Sequence, residues 1–165
     1  MKPWLLAFIL ITPLTSWAQT QWQPLGEGTA RWGLFKLYDA TLLAPKETTR
    51  ETLMADETPL KLKLCYARSL TVDNFVTGAN HVLAKQTLSP ALQQAVDQLH
   101  AAYQAVDKGD CYVLLHQPEQ GTSLVLNDQT LTTLNTPGFK AVYFGIWLGE
   151  QPLSEALKNA LLENI

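Results

Sequence analysis

The chain has 165 residues, of which 47% are hydrophobic, and it carries a formal net charge of -3. This length suits one domain with a substantial apolar core and is short for two. A weakly acidic chain without basic clusters argues against nucleic acid as a partner, and no polybasic segment points to anionic lipid.

The N terminus has the pattern of a secretory signal peptide. Lys2 supplies a positive start, an apolar run follows, and Ser16 and Ala18 place small residues before a cleavage site. The run is shorter than the roughly 20 residues of a comfortable transmembrane helix, and an uncleaved anchor is the alternative. We therefore expect residues 1–18 to be a cleaved signal peptide. Residues 19–165 would then form a single domain, periplasmic or secreted, with no stable membrane anchor after cleavage.

Two strands are predicted in the first part of the exported chain. Gly26-x-Gly28 predicts a turn, after which residues 34–43 mix aromatic and aliphatic side chains and predict the first strand. Residues 60–68 alternate more clearly, with apolar side chains at the even positions and two lysines at odd ones. Such alternation is typical of a sheet with one buried and one wet face. Residues 45–59 predict a long surface connection between the two strands.

Helices and a second group of strands follow. Apolar residues at helical spacing predict one helix after Thr71 and another after Ser89, the second continuing to Val106. The later strands are predicted at 111–116, 123–126, 130–134 and 139–148. A terminal helix opens at Ser154. This order predicts an α+β domain in which helices pack on a largely antiparallel sheet.

Two cysteines, Cys65 and Cys111, lie in the predicted domain. Export to an oxidising compartment permits a disulfide between them. The alternative is that they are two small buried apolar side chains. Their spacing does not match a metal site.

The sequence contains no recognisable motif for a cofactor or a standard catalytic centre. The three histidines, His81, His100 and His116, are dispersed along the chain and are predicted to be structural or exposed. We therefore expect no cofactor and no metal, and catalytic residues stay unassigned.

Four polar side chains can be placed on the core side of the strands or at its edge. They are Arg31, Tyr38, Tyr66 and Arg68. A forked guanidinium beside a phenol can hold a carboxylate or an enolate-like oxygen through several donors. The alternative is structural: Arg31 pairs with Asp39 or Glu27, and Arg68 caps a sheet edge.

Motifs spread along the chain carry a resemblance to a known family. They are Gly26-x-Gly28, Arg31 and Phe35-Lys36-Leu37-Tyr38-Asp39-Ala40-x-Leu42-Leu43; Leu60-x-Leu62-x-Leu64-x-Tyr66-x-Arg68; Lys108-Gly109-Asp110-Cys111-Tyr112-Val113-Leu114 with Pro118-x-x-Gly121 and Asn127; and Phe144-x-Ile146-Trp147-Leu148-Gly149-Glu150-x-Pro152-Leu153-Ser154. In this order the chain resembles the short exported bacterial members of the chalcone-isomerase-like family. The resemblance implies an open-faced β-sandwich of chalcone isomerase type, with helices on one face of the sheet and a ligand cleft between them.

The resemblance leaves three functions open. In the fatty-acid-binding relatives an arginine and a tyrosine hold the ligand carboxylate, which favours non-catalytic binding of a small apolar, fatty-acid-like ligand through the four side chains. Plant chalcone isomerases close a flavonoid ring in this cleft. An intramolecular lyase or isomerase acting on an enone is therefore the alternative, with Asn80 as a candidate for the enzymes' helical asparagine. The third function is a structural partner in the cell envelope, its cleft filled by side chains such as Trp32, Phe144 and Trp147. The oligomeric state is not predicted.

Overall fold

The structure, a computed structural model, describes residues 20–165, and the predicted signal peptide at 1–18 lies outside them. Six strands form one antiparallel sheet in chain order. They are β1 (Gln23–Trp32), β2 (Phe35–Ala44), β3 (Leu60–Tyr66), β4 (Cys111–Gln117), β5 (Gly121–Leu126) and β6 (Gln129–Leu134). The helices are α1 (Val72–Leu83), α2 (Pro90–Ala102), α3 (Phe139–Leu148) and α4 (Glu155–Leu161). Among these residues no helix is both long and apolar enough to cross a membrane.

The helices pack on one face of the sheet. In β3 the buried side chains are Leu60, Leu62, Leu64 and Tyr66. Lys61 and Lys63 alternate with them and point to the opposite, uncovered face. Helix α4 packs on β1 and β2, α2 on β6 and α3 on β5, while α1 packs on α3. The predicted α+β class and open-faced sandwich are confirmed.

The predicted glycine turn is wrong, because Gly26 and Gly28 lie inside β1 and pair with β2. A Cβ atom on Gly26 would overlap the backbone carbonyl oxygen of Ala160 in α4. A Cβ atom on Gly28 would lie 2.8 Å from the Cδ1 atom of Leu157. Glycine therefore serves here to let a helix approach a strand closely, which is one of the physical meanings of glycine in a sheet.

The predicted strand at 139–148 is wrong, because these residues form helix α3. Nearly every side chain of α3 is buried, including those of Phe139 and Ile146. A helix surrounded by protein has no polar face, so its sequence lacks the 3.6-residue period that would distinguish it from a buried strand.

Helix α2 ends at Ala102, before the predicted end at Val106. Val106 instead pairs with Leu70 in an isolated antiparallel bridge. The predicted N-caps are confirmed: Thr71 forms a capping box with Asn74, and the Ser89 hydroxyl accepts from the backbone N–H of Leu92.

The connection at 45–59 is a series of turns, and α3 holds it in place through Lys140. The Lys140 side chain is buried, and its Nζ atom donates to the carbonyl oxygens of Leu53, Ala55 and Thr58 at 2.7, 2.5 and 2.7 Å. Burial lowers the pKa of Lys140 to about 8. Three acceptors match the three protons of an ammonium group, so this contact fixes the loop to the core.

Cys65 and Cys111 stand opposite each other in the pairing of β3 with β4 and are joined by a disulfide. Cys65 follows the buried Leu64 in β3, so its side chain lies on the face of the sheet away from the helices. The bond therefore ties two central strands together without entering the core.

Candidate functional site

A cavity of about 770 Å³ opens between one end of the sheet and helices α1, α3 and α4. Its buried wall includes Tyr38, Tyr66, Tyr112 and Tyr143. Its exposed rim includes Arg31, Trp32, Phe35, Arg68 and Leu153. The volume lies within the range of about 300–1,000 Å³ that is typical of small-molecule sites.

All four side chains predicted for ligand binding line this cavity. Tyr38 on β2 stands opposite Tyr66 on β3, and their ring centroids are 5.6 Å apart. Arg31 comes from the adjoining end of β1, and Arg68 follows β3 by two residues. The antiparallel register thus brings together residues that are far apart in the sequence. Their role in binding stays a prediction.

The two arginines at the rim have no carboxylate partner within residues 20–165. Asp39, the alternative partner of Arg31, instead pairs with Lys36 at 2.6 Å and accepts a hydrogen bond from the Thr29 hydroxyl at 2.7 Å. The Arg68 guanidinium lies 5.0 Å from the centre of the Phe35 ring, in a cation–π contact. Both guanidinium groups therefore keep their donors available beside the cavity.

Tyr38 is held in a defined orientation at the cavity wall. Its hydroxyl oxygen accepts a hydrogen bond from the Trp147 indole Nε1 at 3.0 Å. This leaves the hydroxyl proton of Tyr38 free to donate. Burial raises the pKa of Tyr38 despite the opposing effect of the indole, so the phenol stays protonated at neutral pH.

Tyr66 has the same character and fewer partners. Burial raises the pKa of Tyr66 well above its ordinary value, and the neighbouring tyrosines add to the shift. Its hydroxyl makes no hydrogen bond to another residue in the described part of the chain. Among residues 20–165, the only side-chain polar atom that is both fully buried and without a hydrogen-bond partner is Nε2 of His100. The Tyr66 hydroxyl, which also has no partner, is therefore accessible, and it lies on the cavity wall. Tyr66 is therefore a second neutral donor facing the cavity.

Three further tyrosines, Tyr103, Tyr112 and Tyr143, line the cavity and were not predicted as site residues. With Tyr38 and Tyr66 they make up all five tyrosines of the chain. The hydroxyls of Tyr103 and Tyr143 are 2.8 Å apart, and Phe75 stacks on Tyr103 with ring centroids 5.1 Å apart. Tyr112 donates to the Gln104 carbonyl oxygen at 2.9 Å. Burial raises the pKa of all three phenols. The inner end of the cavity is thus aromatic, neutral and already hydrogen-bonded.

The signals for these tyrosines were of unequal strength. Tyr112 shares the parity of the buried positions in its strand and stands opposite Leu64, so alternation could have placed it on the core face. Tyr143 could not be placed while 139–148 was interpreted as a strand. Helical spacing places Tyr103 on the apolar face of the predicted second helix, but α2 ends at Ala102 and Tyr103 is its C-cap residue.

The cavity suits a ligand with an apolar body and an oxygen-bearing head group. Its wall carries one carboxylate, Asp73, and its exposed rim carries two guanidiniums. Asn80, considered as a catalytic asparagine, is exposed and lies outside the wall. Trp32, considered as a side chain that fills the cleft, is 73% exposed and leaves the space open.

None of the three histidines lines this cavity, although the His100 ring lies next to those of Tyr103 and Tyr143. His116 is buried and bonded through its two ring nitrogens to the Thr122 hydroxyl and the Asp56 carbonyl oxygen, at 2.9 and 2.8 Å. This confirms its predicted structural role. Within residues 20–165 no group of three metal-ligating side chains is suitably placed to hold a metal ion.

A six-stranded open sheet with helices on one face and an aromatic cavity between them is the architecture of an open-faced β-sandwich. The chain belongs to the chalcone isomerase-like family, whose sequence model matches residues 15–163. It is 26% identical over 163 residues to an uncharacterized protein of Haemophilus influenzae, across 98% of this chain and 78% of that protein. Its fold is similar to the crystal structure of an Arabidopsis thaliana fatty-acid binding protein, with a TM-score of 0.68 and 13% identity over 87% of each chain.

Proposed function

We propose that this protein is an exported, non-catalytic binder of a small apolar ligand with a carboxylate or carbonyl head, of the fatty-acid type. The observation that carries the proposal is a pair of arginines at the rim of a tyrosine-lined cavity that form no salt bridge within residues 20–165. A guanidinium binds a carboxylate through two parallel, charge-assisted hydrogen bonds. An acyl chain would then extend along the aromatic wall, where its burial removes apolar surface from water.

The arrangement of the ligand follows from the positions of charge in the cavity. Arg31 and Arg68 are exposed, whereas Tyr38 and Tyr66 are buried in the wall of the same cavity. The head group would lie at the rim, where solvent reduces the cost of desolvating the charges. The phenols of Tyr38 and Tyr66 would donate to the same oxygen atoms from below.

The protonation of the tyrosines supports binding over ring closure. Every phenol on the wall has a raised pKa, so none of them is ionised at neutral pH to act as a base. General base catalysis is most efficient when the base has a pKa near the working pH and lies within reach of the substrate proton. The fatty-acid binding of the structurally similar plant protein supports the same proposal.

Titration of delipidated protein with saturated fatty acids from eight to eighteen carbons tests the proposal. We expect one binding site, with affinity rising with chain length because each added methylene buries more apolar surface. Replacing Arg31 and Arg68 together by Met should weaken palmitate binding about 10- to 100-fold, as expected for hydrogen bonds to a charged group. Lys46→Met is the matched control, because Lys46 is exposed and lies outside the cavity wall. Absence of binding at every chain length would overturn the proposal.

Export is the second part of the proposal, and it rests on the signal-peptide pattern of residues 1–18. Fractionation of expressing cells, followed by intact mass measurement, tests it. The expected product starts at Gln19 and is found in the periplasmic or secreted fraction. A product of full length that stays in the cytoplasm would contradict it.

A further inference from the structure

The hairpin that joins β1 to β2 exposes an unusual amount of apolar surface. Trp32, Leu34 and Phe35 are 73%, 94% and 57% exposed, and together they form the hairpin tip, residues 32–35. Single exposed apolar side chains are common on proteins, whereas a cluster of large ones marks an interaction site. Leu153, another exposed large apolar side chain, lies on the rim of the same cavity.

The backbone holds this tip in a defined shape. Trp32 pairs with Phe35 across the hairpin, which leaves Gly33 and Leu34 as a two-residue loop. Gly33 has a φ angle of +56°, which is readily adopted by glycine at the first central position of such a loop. A tight turn cannot fold its side chains back onto the core, so Leu34 projects from the end of the sheet.

Positive charges surround the hairpin tip although the chain as a whole is acidic. Arg31 precedes it, Lys36 follows it, and Arg68 lies against Phe35. Two acids at this end are Asp39, which is paired with Lys36, and Asp73 on the cavity wall. The three cations come from separate segments, so the sequence shows no polybasic run. Aromatic side chains next to arginine and lysine are typical of surfaces that enter the headgroup region of a bilayer.

We propose that the hairpin tip docks the protein on an anionic phospholipid bilayer, with the cavity opening against the membrane. Trp32 and Phe35 belong to both the tip and the cavity rim, so a lipid-derived ligand would pass between bilayer and cavity without crossing water. The transfer step rests on the proposed binding function, whereas the docking step does not.

The size of the tip favours a bilayer over a protein partner. A large aromatic side chain buries about 150–250 Å². The three apolar side chains of the tip therefore offer less than the roughly 800 Å² per partner of a standard protein interface. A narrow apolar tip with basic flanks can enter a fluid headgroup layer without any complementary surface.

Co-sedimentation with vesicles tests the docking step. The protein is purified as recovered from expressing cells. It is mixed with vesicles of equimolar phosphatidylglycerol and phosphatidylcholine, or with vesicles of phosphatidylcholine alone. We expect sedimentation with the anionic vesicles, which decreases as salt rises. Leu34→Ser should lower the bound fraction at limiting lipid at least tenfold, because a whole leucine side chain no longer enters the membrane. Lys46→Ser, in the turn that follows the far end of β2, is the control and should bind like the unchanged protein.

Tryptophan fluorescence locates the contact. Vesicles with brominated acyl chains should quench the emission of Trp32, and the quenching should disappear in Trp32→Phe, which within residues 20–165 retains Trp22 and Trp147. Failure to bind anionic vesicles, or equal binding by Leu34→Ser, would overturn the proposal. Self-association that Leu34→Ser abolishes, in the absence of vesicle binding, would instead assign the tip to a second copy of the chain and also overturn it.

The docking surface and the ligand site can fail separately. Leu34 lies outside the cavity wall, so Leu34→Ser should bind palmitate in solution as the unchanged protein does. If vesicle binding depends on Leu34 while no fatty acid binds, the proposed function fails and the docking surface stands. If palmitate binds and vesicles do not, the docking surface fails and the proposed function stands.

Discussion

Gly78 allows the cavity to be filled without disturbing the rest of the fold. It lies inside α1 and on the cavity wall, and a Cβ atom built on it would meet no atom within 4 Å. Glycine in a helix interior costs about 1 kcal/mol relative to alanine. Gly78→Ala should therefore raise the stability by about 1 kcal/mol, or the melting temperature by about 3 °C, with little effect on the ligand.

Gly78→Phe should instead occupy space that the ligand needs. If the new ring displaces ligand equal to about three methylene groups, the loss is about 2.4 kcal/mol, because each buried methylene contributes about 0.8 kcal/mol. Palmitate binding should then weaken roughly 50-fold in isothermal titration. Thermal unfolding of both variants checks that they fold. A folded Gly78→Phe variant with unchanged affinity would show that the ligand does not lie along α1, and would refute this account of the cavity.

Three further predictions concern stability in urea. Lys140→Met should cost about 3 kcal/mol because it leaves three carbonyl oxygens of the 45–59 connection without their donor; a loss under 1 kcal/mol would show that water replaces it. Burial lowers the pKa of His100 and of His116, so the unfolded chain binds more protons as the pH falls below about 6.5. The urea midpoint should therefore decrease as the pH is lowered from 7 to 5, and it should decrease less in the His116→Gln variant. An equal decrease in both proteins would contradict this. Gly26→Ala should destabilise more than Gly28→Ala, since the first meets the backbone of α4 and the second mainly a leucine side chain; equal losses would argue against that packing.

Much of the sheet could be predicted because one of its faces is exposed to solvent. The alternation at 60–68 identified β3 and placed Tyr66 on the core face, as the structure has it. Helix caps were also readable, since Thr71 and Ser89 satisfy backbone donors that only a few side chains can reach. These signals are local, and each depends on a contrast between water and core.

The parts that sequence could not place lack this contrast. Helix α3 is buried on nearly every side, and its only charged residue, Lys140, is itself buried, so the spacing of its apolar residues reveals no period. Position 26 of β1 requires glycine because helix α4, far along the chain, packs against it, and no local sequence pattern shows this contact. The cavity itself was predicted only by resemblance, and Tyr143 was missed because α3 was interpreted as a strand.

Native mass spectrometry of the protein as recovered from cells tests the central claim most directly. The account predicts one bound small molecule per chain which, after extraction, is apolar with a carboxylate or carbonyl head. It predicts loss of this molecule when Arg31 and Arg68 are both replaced by Met, with retention in Lys46→Met. Protein that carries no molecule and takes up none from a fatty-acid mixture would contradict the account.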